Sequence, residues 1–142
     1  MKNQRTWLAG LCIWVLVAAC SPVGPSNEKI RLDLEDLIKQ QTRGIAAVAN
    51  LEMKRKVLSE DRVKVQMTAS YKTDQEELRK ASIAVQTLRT RPFGGMGAFE
   101  LGKAVDTARQ LDGKTEKFTF VYRLEGNGVW KIAQIFDGHG DR

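Results

Sequence analysis

The chain has 142 residues and a formal net charge of +6, with 42% of its residues apolar and 28% charged. These values predict one globular domain and exclude a disordered chain. The positive excess is too small to indicate nucleic-acid binding, but it suits contact with anionic surfaces such as lipid head groups.

The beginning of the chain has the pattern of an export signal. Lys2 and Arg5 precede an uncharged run of 13 residues from Trp7 to Ala19. This run is too short to span a bilayer, which needs about 20 apolar residues in a helix. A charged start, a short apolar run and small residues at its end are typical of a cleaved secretory signal.

The end of the run, Val17-Ala18-Ala19-Cys20, resembles the lipobox of bacterial lipoproteins, with Val17 where leucine is commonest. The resemblance implies cleavage before Cys20 and a covalent diacylglycerol and acyl chain on Cys20, with no other cofactor. It also implies anchoring at the periplasmic face of the outer membrane rather than the inner membrane, because Ser21 follows the cysteine where aspartate would favour retention. The alternative is an ordinary cleaved signal with an incidental cysteine.

This interpretation divides the chain into four segments. They are a signal peptide over 1–19, a lipidated cysteine and flexible linker over 20–27, a single periplasmic α+β domain over 28–136, and a flexible tail over 137–142. Removing residues 1–19 leaves 123 residues with 21 Lys+Arg and 17 Asp+Glu. Because Cys12 is lost with the signal and Cys20 carries the lipid, the domain must be stable without a disulfide.

A helix is predicted after Ser26 or Asn27, either of which can cap it. Gly44 is well placed to end the helix. Apolar residues and one glutamine recur at helical spacing on one face: Ile30, Leu34, Leu37, Ile38 and Gln41.

Two strands are predicted next, separated by a polar turn at residues 59–61. The second is the stronger, since one face alternates over nine residues: Val63, Val65, Met67, Ala69 and Tyr71. The first is weaker, because its alanines also suit a helix, and its apolar face reads Ala47, Ala49, Leu51 and Met53.

Residues 75–111 allow two interpretations. A helical stripe is formed by Leu78, Ala81, Val85 and Leu88, but alternate residues from 81 to 87 also fit a strand. Capping boxes that begin at Thr73 or Asp74 favour the helix. A glycine-rich loop over 91–97 precedes a second helical pattern over 101–111. The segment therefore contains one or two helices, and partial strand remains open.

The clearest element is a C-terminal hairpin around Gly126-Asn127-Gly128. A three-residue loop with left-handed Gly128 keeps the apolar residues on one side of the sheet. This register predicts three cross-strand pairs: Leu124 with Trp130, Tyr122 with Ile132, and Phe118 with Phe136.

The fold class expected from these elements is α+β: an N-terminal helix packed on a curved antiparallel sheet, one or two further helices in the middle, and a C-terminal β-hairpin. With the motif Gly128-Val129-Trp130-Lys131-Ile132 in the hairpin, this order resembles the cystatin-like or nuclear-transport-factor-like superfold. The resemblance implies a cone-shaped fold that can line a pocket.

No catalytic constellation is found in the sequence, so we expect no enzyme activity. His139 is the only histidine of the chain, and it lies in the tail beside Asp137 and Asp141. A nucleophile would have to take its base from this tail, and a metal site needs several ligands that are held in place. We therefore expect no catalytic residue and no metal ligand.

Three groups of residues are candidates for binding. A cluster on the first two strands, Lys54, Lys56, Arg62 and Lys64, can contact phosphates of lipid or lipopolysaccharide, or can be a solvated face that prevents edge aggregation. Trp130 and Tyr122 can line a pocket or belong to the core. The third group, Arg89, Arg91 and Phe93, flanks the glycine-rich loop and can contact a partner.

The expected function is binding by a membrane-anchored periplasmic lipoprotein, as an accessory component of an envelope assembly. Its partners would be the membrane, through the lipid anchor, and an envelope protein, with no nucleic acid. The alternative is a small apolar ligand held in a pocket of the cystatin-like or nuclear-transport-factor-like fold.

Overall fold

The computed structural model describes residues 23–138. The elements in chain order are α1 (Asn27–Thr42), β1 (Ala46–Ser59), β2 (Arg62–Thr73), α2 (Gln75–Arg89), α3 (Gly95–Leu111), β3 (Thr115–Leu124) and β4 (Trp130–Asp137). The strands form one antiparallel sheet in the order β1-β2-β3-β4. The predicted α+β class is thereby confirmed. The predictions for the signal, for Cys20 and for His139 lie outside the described residues.

The helix α1 begins and ends close to the predicted positions. The Ser26 hydroxyl caps it by accepting a hydrogen bond from the Lys29 backbone N–H at 3.1 Å. Arg43 takes a left-handed conformation and ends the helix one residue before Gly44. The last buried residue is Thr42 rather than the predicted Gln41, which is exposed, and the Thr42 hydroxyl donates to the Ile38 carbonyl at 2.8 Å.

Before α1, the chain is already packed on the sheet. Pro25 is fully buried, and a Cβ added at Gly24 would lie 3.1 Å from a methyl carbon of Val63. The predicted flexible linker over 20–27 is therefore wrong for Gly24 and Pro25, which belong to the folded domain. Proline suits this buried position because it has no backbone N–H group that would need a hydrogen-bond partner.

The first two strands pair as predicted, with two irregularities in β1, at residues 49 and 58. The register shifts between Val48 and Asn50, so Ala49 forms a β-bulge. Beyond the bulge, Leu51 and Met53 face the core as expected. Before it, Val48 takes the core side, and the predicted assignment of Ala47 and Ala49 to that side is wrong.

Both segments in the middle of the chain are helices, which settles the ambiguity over residues 75–111. Asp74 caps α2 by accepting hydrogen bonds from the N–H groups of Glu76 and Glu77 at 2.9 and 3.1 Å. The carboxylate of Asp112, just after α3, accepts from the Thr73 N–H at 3.0 Å. This bond ties the end of the helical hairpin to the end of β2.

The C-terminal hairpin confirms two predicted pairs and corrects the third. Leu124 pairs with Trp130 and Tyr122 with Ile132, and Gly128 is left-handed. Between Ile132 and Gln134 the register shifts by one residue, so Ala133 forms a bulge. Phe136 consequently lies opposite Thr119, not opposite Phe118, and it faces the side of the sheet away from the core.

The core lies between the helices and one face of the sheet. Alternate residues of the central strands supply its sheet side: Val63, Val65, Met67, Ala69, Tyr71, Phe118, Phe120 and Tyr122. Helix residues close it from the other side, including Ile30, Leu34, Ile38, Val105 and Ala108. The other face of the sheet carries no described helix.

Candidate binding surfaces

The uncovered side of the sheet is rich in lysine and arginine, and we call it the basic face. Strand pairing places all four predicted cations there: Lys56 lies directly opposite Lys64, and Lys54 and Arg62 follow at the same alternation. β3 contributes Lys117 and Arg123, and β4 contributes Lys131. At the described strand positions of this face, Glu52 is the only carboxylate.

Like charges are neighbours across the strands of the basic face. Arg62 lies opposite Arg123, and Arg123 lies opposite Lys131 on its other side. Like charges directly opposite each other destabilise a sheet by a few tenths of a kcal/mol to about 1 kcal/mol per pair. The sheet therefore carries an electrostatic cost that an anionic partner would relieve.

Acidic residues offset part of this charge at the hairpin turns. Lys131 pairs with Glu125 at 2.9 Å. The pKa of the exposed Asp61 is lowered, chiefly by the hydrogen bond from the Ser59 hydroxyl and in smaller part by Arg62 and Arg123. Away from the turns, the residues paired with Lys54, Lys56 and Lys117 on β2 are Gln66, Lys64 and Thr68, none of which is acidic.

A depression of about 400 Å³ lies on the basic face, across β1 to β4. Its wall combines three cations with one carboxylate, uncharged hydrogen-bonding groups and an exposed aromatic ring: Lys54, Lys64, Lys117, Glu52, Gln66, Thr119 and Phe136. The bulge at Ala133 places Phe136 here. Such a lining suits an anionic group with an apolar portion.

The predicted pocket residue Tyr122 is part of the core. It has no exposed surface, and its ring contacts Phe120 edge-to-face at a centroid distance of 6.1 Å. Its hydroxyl donates to the Asp33 carboxylate at 2.9 Å. Burial, followed by this hydrogen bond, raises the pKa of Tyr122. Trp130 is partly buried beside the same core.

Polar contacts around Asp33 hold α1 on the sheet. The ammonium group of Lys29 lies 2.9 Å from one oxygen of Asp33 and 3.0 Å from the other. Nearby, Arg55 donates from β1 to the side chain of Asn27. The Lys29–Asp33 pair lies within α1, whereas Tyr122 and Arg55 reach α1 from the sheet, and the buried Nη1 of Arg55 has no hydrogen-bond partner among the described residues. We assign this cluster a structural role.

The third predicted group lies at the turn between α2 and α3. We call residues 89–99 the tip. Arg89 ends α2, Arg91 follows it, and Phe93 is fully exposed. Met96 and Phe99, in the first turns of α3, are also exposed. Sequence reasoning missed these two, because it placed Met96 in the glycine-rich loop and began the helical pattern at Leu101, after Phe99.

Two kinds of feature are not found among the described residues, and no similar protein is found for the chain. Over residues 23–138 there is no group of three or more His, Cys, Asp or Glu side chains placed to hold a metal ion. None of the helices in this range is long and apolar enough to cross a membrane. Comparison with protein-family models, with curated proteins and with solved structures finds no match to the chain.

Proposed function

We propose that this protein is a lipid-anchored lipoprotein of the outer membrane that acts by binding, as an accessory component of an envelope assembly. We further propose that it binds an anionic component of that assembly through the basic face. The observation that carries the proposal is the concentration of cations on the one side of the sheet that the described helices leave uncovered.

The charge pattern supports binding more than it supports solubility. A solvated face that only prevents aggregation is served by mixed charges. Here Lys56 and Lys64 are direct neighbours, as are Arg62 and Arg123. Retaining repulsive pairs at a cost in stability is typical of surfaces kept for function.

The position of the chain entry supports the same proposal. Gly24 lies against Val63, which is adjacent to Arg62 at the start of β2. Three residues, Ser21, Pro22 and Val23, lie between Cys20 and Gly24, and an extended chain spans about 3.3 Å per residue. A lipid on Cys20 would thus hold Gly24, and with it this end of the sheet, within about 15 Å of the bilayer, where anionic head groups attract cations.

The proposed kinship with cystatin-like or nuclear-transport-factor-like folds rests on element order and on one local motif, Gly128-Val129-Trp130-Lys131-Ile132. A helix precedes a four-stranded antiparallel meander, and two helices are inserted between β2 and β3. Because fold resemblance does not define function, the proposal of a binding role is independent of this kinship.

The second candidate function is small-ligand binding in the depression on the basic face. The observation that favours it is Phe136, an aromatic side chain set among lysines in a concave site of about 400 Å³. The site differs from the pocket expected at Tyr122 and Trp130, and it suits an anionic amphiphile better than a purely apolar ligand. Co-purification of such a molecule with the native chain, and its loss in Phe136→Ala, would favour this candidate.

The binding proposal is tested by photo-crosslinking in the envelope of a Gram-negative cell. A photo-reactive residue replaces Lys56 on the basic face and, as a matched control, the exposed Lys103 on α3. We expect a discrete crosslinked product from position 56 only, and its loss when Lys54 and Lys117 are changed to glutamate. Identical patterns from positions 56 and 103 would contradict the proposal.

The anchor is tested separately by labelling the full chain with a radioactive or alkyne-bearing fatty acid. We expect label in the wild type and none in Cys20→Ser, which leaves the membrane pellet or remains uncut. Unchanged acyl labelling and unchanged intact mass in the variant would refute lipidation at Cys20.

A further inference from the structure

The tip exposes three large apolar side chains to solvent. Phe93 is 105% exposed, Met96 76% and Phe99 67%. Met96 and Phe99 are three residues apart in α3, so they share one side of the helix directly after Phe93. These side chains form a protruding apolar apex, whereas a scattered exposed leucine or valine would need no explanation.

The backbone of the tip presents Phe93 at an energetic cost. The N–H of Gly94 donates to the carbonyl of Arg91 at 3.2 Å, which closes a four-residue turn with Pro92 second and Phe93 third. Phe93 has φ 64°, and a turn with positive φ at its third position favours glycine there. A left-handed conformation costs a residue with a Cβ about 1–2 kcal/mol. An exposed aromatic in this conformation is typical of a functional contact.

The charges around the apex have one sign. Residues 78–99 contain no aspartate or glutamate but four cations: Arg79, Lys80, Arg89 and Arg91. Lys80 pairs with Glu76 and Glu77 in the first turn of α2, far along the helix from the tip. The first acid beyond the apex, Glu100, lies 3.9 Å from Arg43. Arg89 and Arg91 therefore form a basic collar behind the apolar apex.

We propose that the tip inserts into the interface of an anionic lipid bilayer. Phe93, Met96 and Phe99 would enter the boundary between head groups and acyl chains, while Arg89 and Arg91 contact lipid phosphates. Aromatic rings favour this depth, and each cation near an anionic surface adds about 1 kcal/mol. A protruding apolar apex with two arginines behind it can enter a fluid lipid surface without a preformed complementary shape. A folded protein partner would have to supply an apolar groove with acidic residues at its edge.

The inference goes beyond the proposed function because it uses neither Cys20 nor the basic face. It assigns the chain a second membrane contact, which is formed by the connection between α2 and α3. Stable attachment to a membrane commonly requires two membrane-binding features. An inserted apolar segment with basic residues beside it is one such feature.

The test measures insertion depth in the full chain reconstituted into vesicles. Phe93→Trp is compared with Ile83→Trp, an exposed site on α2 six residues before the end of that helix. Bromine-labelled lipids quench tryptophan that reaches the acyl region, and the emission of the parent chain is subtracted. Vesicles contain either phosphatidylcholine alone or phosphatidylcholine with phosphatidylglycerol.

We expect strong quenching at position 93, little at position 83, and an increase with phosphatidylglycerol. Changing Arg89 and Arg91 to glutamate should abolish the quenching at position 93 without altering the circular dichroism spectrum. Equal quenching at positions 93 and 83, or none at position 93 in either lipid, would overturn the proposal. Crosslinking of position 93 to a protein in cells with no quenching in vesicles would likewise overturn it, in favour of a protein partner. None of these outcomes depends on crosslinking at Lys56, so the two proposals fail separately.

Discussion

The two sides of the sheet are built from the same strands but differ in burial and in charge. On β2, Val63, Val65 and Met67 have at most 1% exposure, while the residues between them, Lys64 and Gln66, face the uncovered side. The covered side is closely packed and mostly apolar, and Arg55 on that side donates a hydrogen bond to Asn27 of α1. The basic face tolerates cross-strand repulsion. Stability is thus concentrated on one side, and the other is free to serve binding.

The sharpest test of this comparison is a pair of neighbours on β3. Phe120 is fully buried, whereas Thr119 lies on the basic face. We expect Phe120→Ala to reduce the free energy of unfolding by about 3–5 kcal/mol, the range for large aromatic truncations. Thr119→Ala should cost below about 1 kcal/mol, as for surface positions. Urea denaturation measures both, and equal losses would refute the division between the two sides.

The tip allows a similar comparison between adjacent glycines. A Cβ at Gly94 would lie 2.0 Å from the carbonyl oxygen of Leu88, whereas a Cβ at Gly95 would meet nothing within 4 Å. Gly94→Ala should therefore destabilise the α2–α3 connection by about 1–3 kcal/mol, as overpacking does. Gly95→Ala should be neutral or stabilise by up to about 1 kcal/mol, since alanine favours a helix. Thermal denaturation in which both variants behave alike would show that the turn is not tightly packed.

The core contains two buried tyrosines that differ in hydrogen bonding: one hydroxyl has a partner and the other has none among the described residues. Tyr122 donates to Asp33, while the hydroxyl of Tyr71 has no hydrogen-bond partner among residues 23–138. Tyr122→Phe should cost about 1 kcal/mol, and Tyr71→Phe should be neutral or stabilising. The ranking is measured by chemical denaturation at pH 7, and the reverse ranking would contradict the assigned contact.

The same tyrosines predict an alkaline limit to stability. Burial is the main cause that raises the pKa of both, assisted by Asp33 at Tyr122 and by Glu116 at Tyr71. Above pH about 10 an unfolded tyrosine loses its proton while the folded one keeps it, so the unfolded state binds fewer protons. Stability from these groups is complete below pH about 10 and falls as the pH rises beyond it. The double Phe variant should show a shallower fall between pH 9 and pH 11, and an unchanged slope would argue against it.

The smallest expected effect concerns the basic face itself. Lys56→Glu places an opposite charge across from Lys64 in place of a like charge. We expect the free energy of unfolding to rise by about 0.2–1 kcal/mol at low salt, and the gain to shrink as salt screens it. The exposed Lys103→Glu on α3 is the control and should gain nothing. A loss of stability in Lys56→Glu would show that the lysines do not repel one another.

Regular alternation made much of this fold predictable. The nine-residue pattern of β2 gave its core side correctly, and capping residues located α1 and α2. The bulges at Ala49 and Ala133 were not predictable, because an inserted residue leaves no mark in side-chain type and yet exchanges the faces. For this reason Phe136 was assigned to the core.

The candidate sites were predicted less evenly. The sequence shows directly that the cations of β1 and β2 lie two residues apart within each strand, so alternation places each pair on one face. They are Lys54 and Lys56 on β1, and Arg62 and Lys64 on β2. The contributions of Lys117 and Arg123 depend on how β3 pairs with β2, a long-range contact that no local pattern fixes. The exposure of the apex could not be predicted, because it depends on whether another element packs against the start of α3. Only the assembled fold shows that Met96 and Phe99 are left exposed there.

The burial of Pro25 and the close fit of Gly24 on Val63 have a consequence for binding strength. If Cys20 carries the lipid, only Ser21, Pro22 and Val23 remain as a tether. A tether this short converts encounters with neighbours in the same membrane into intramolecular ones, at effective concentrations on the order of millimolar. Contacts too weak to detect with the domain free in solution would then be occupied most of the time at the membrane.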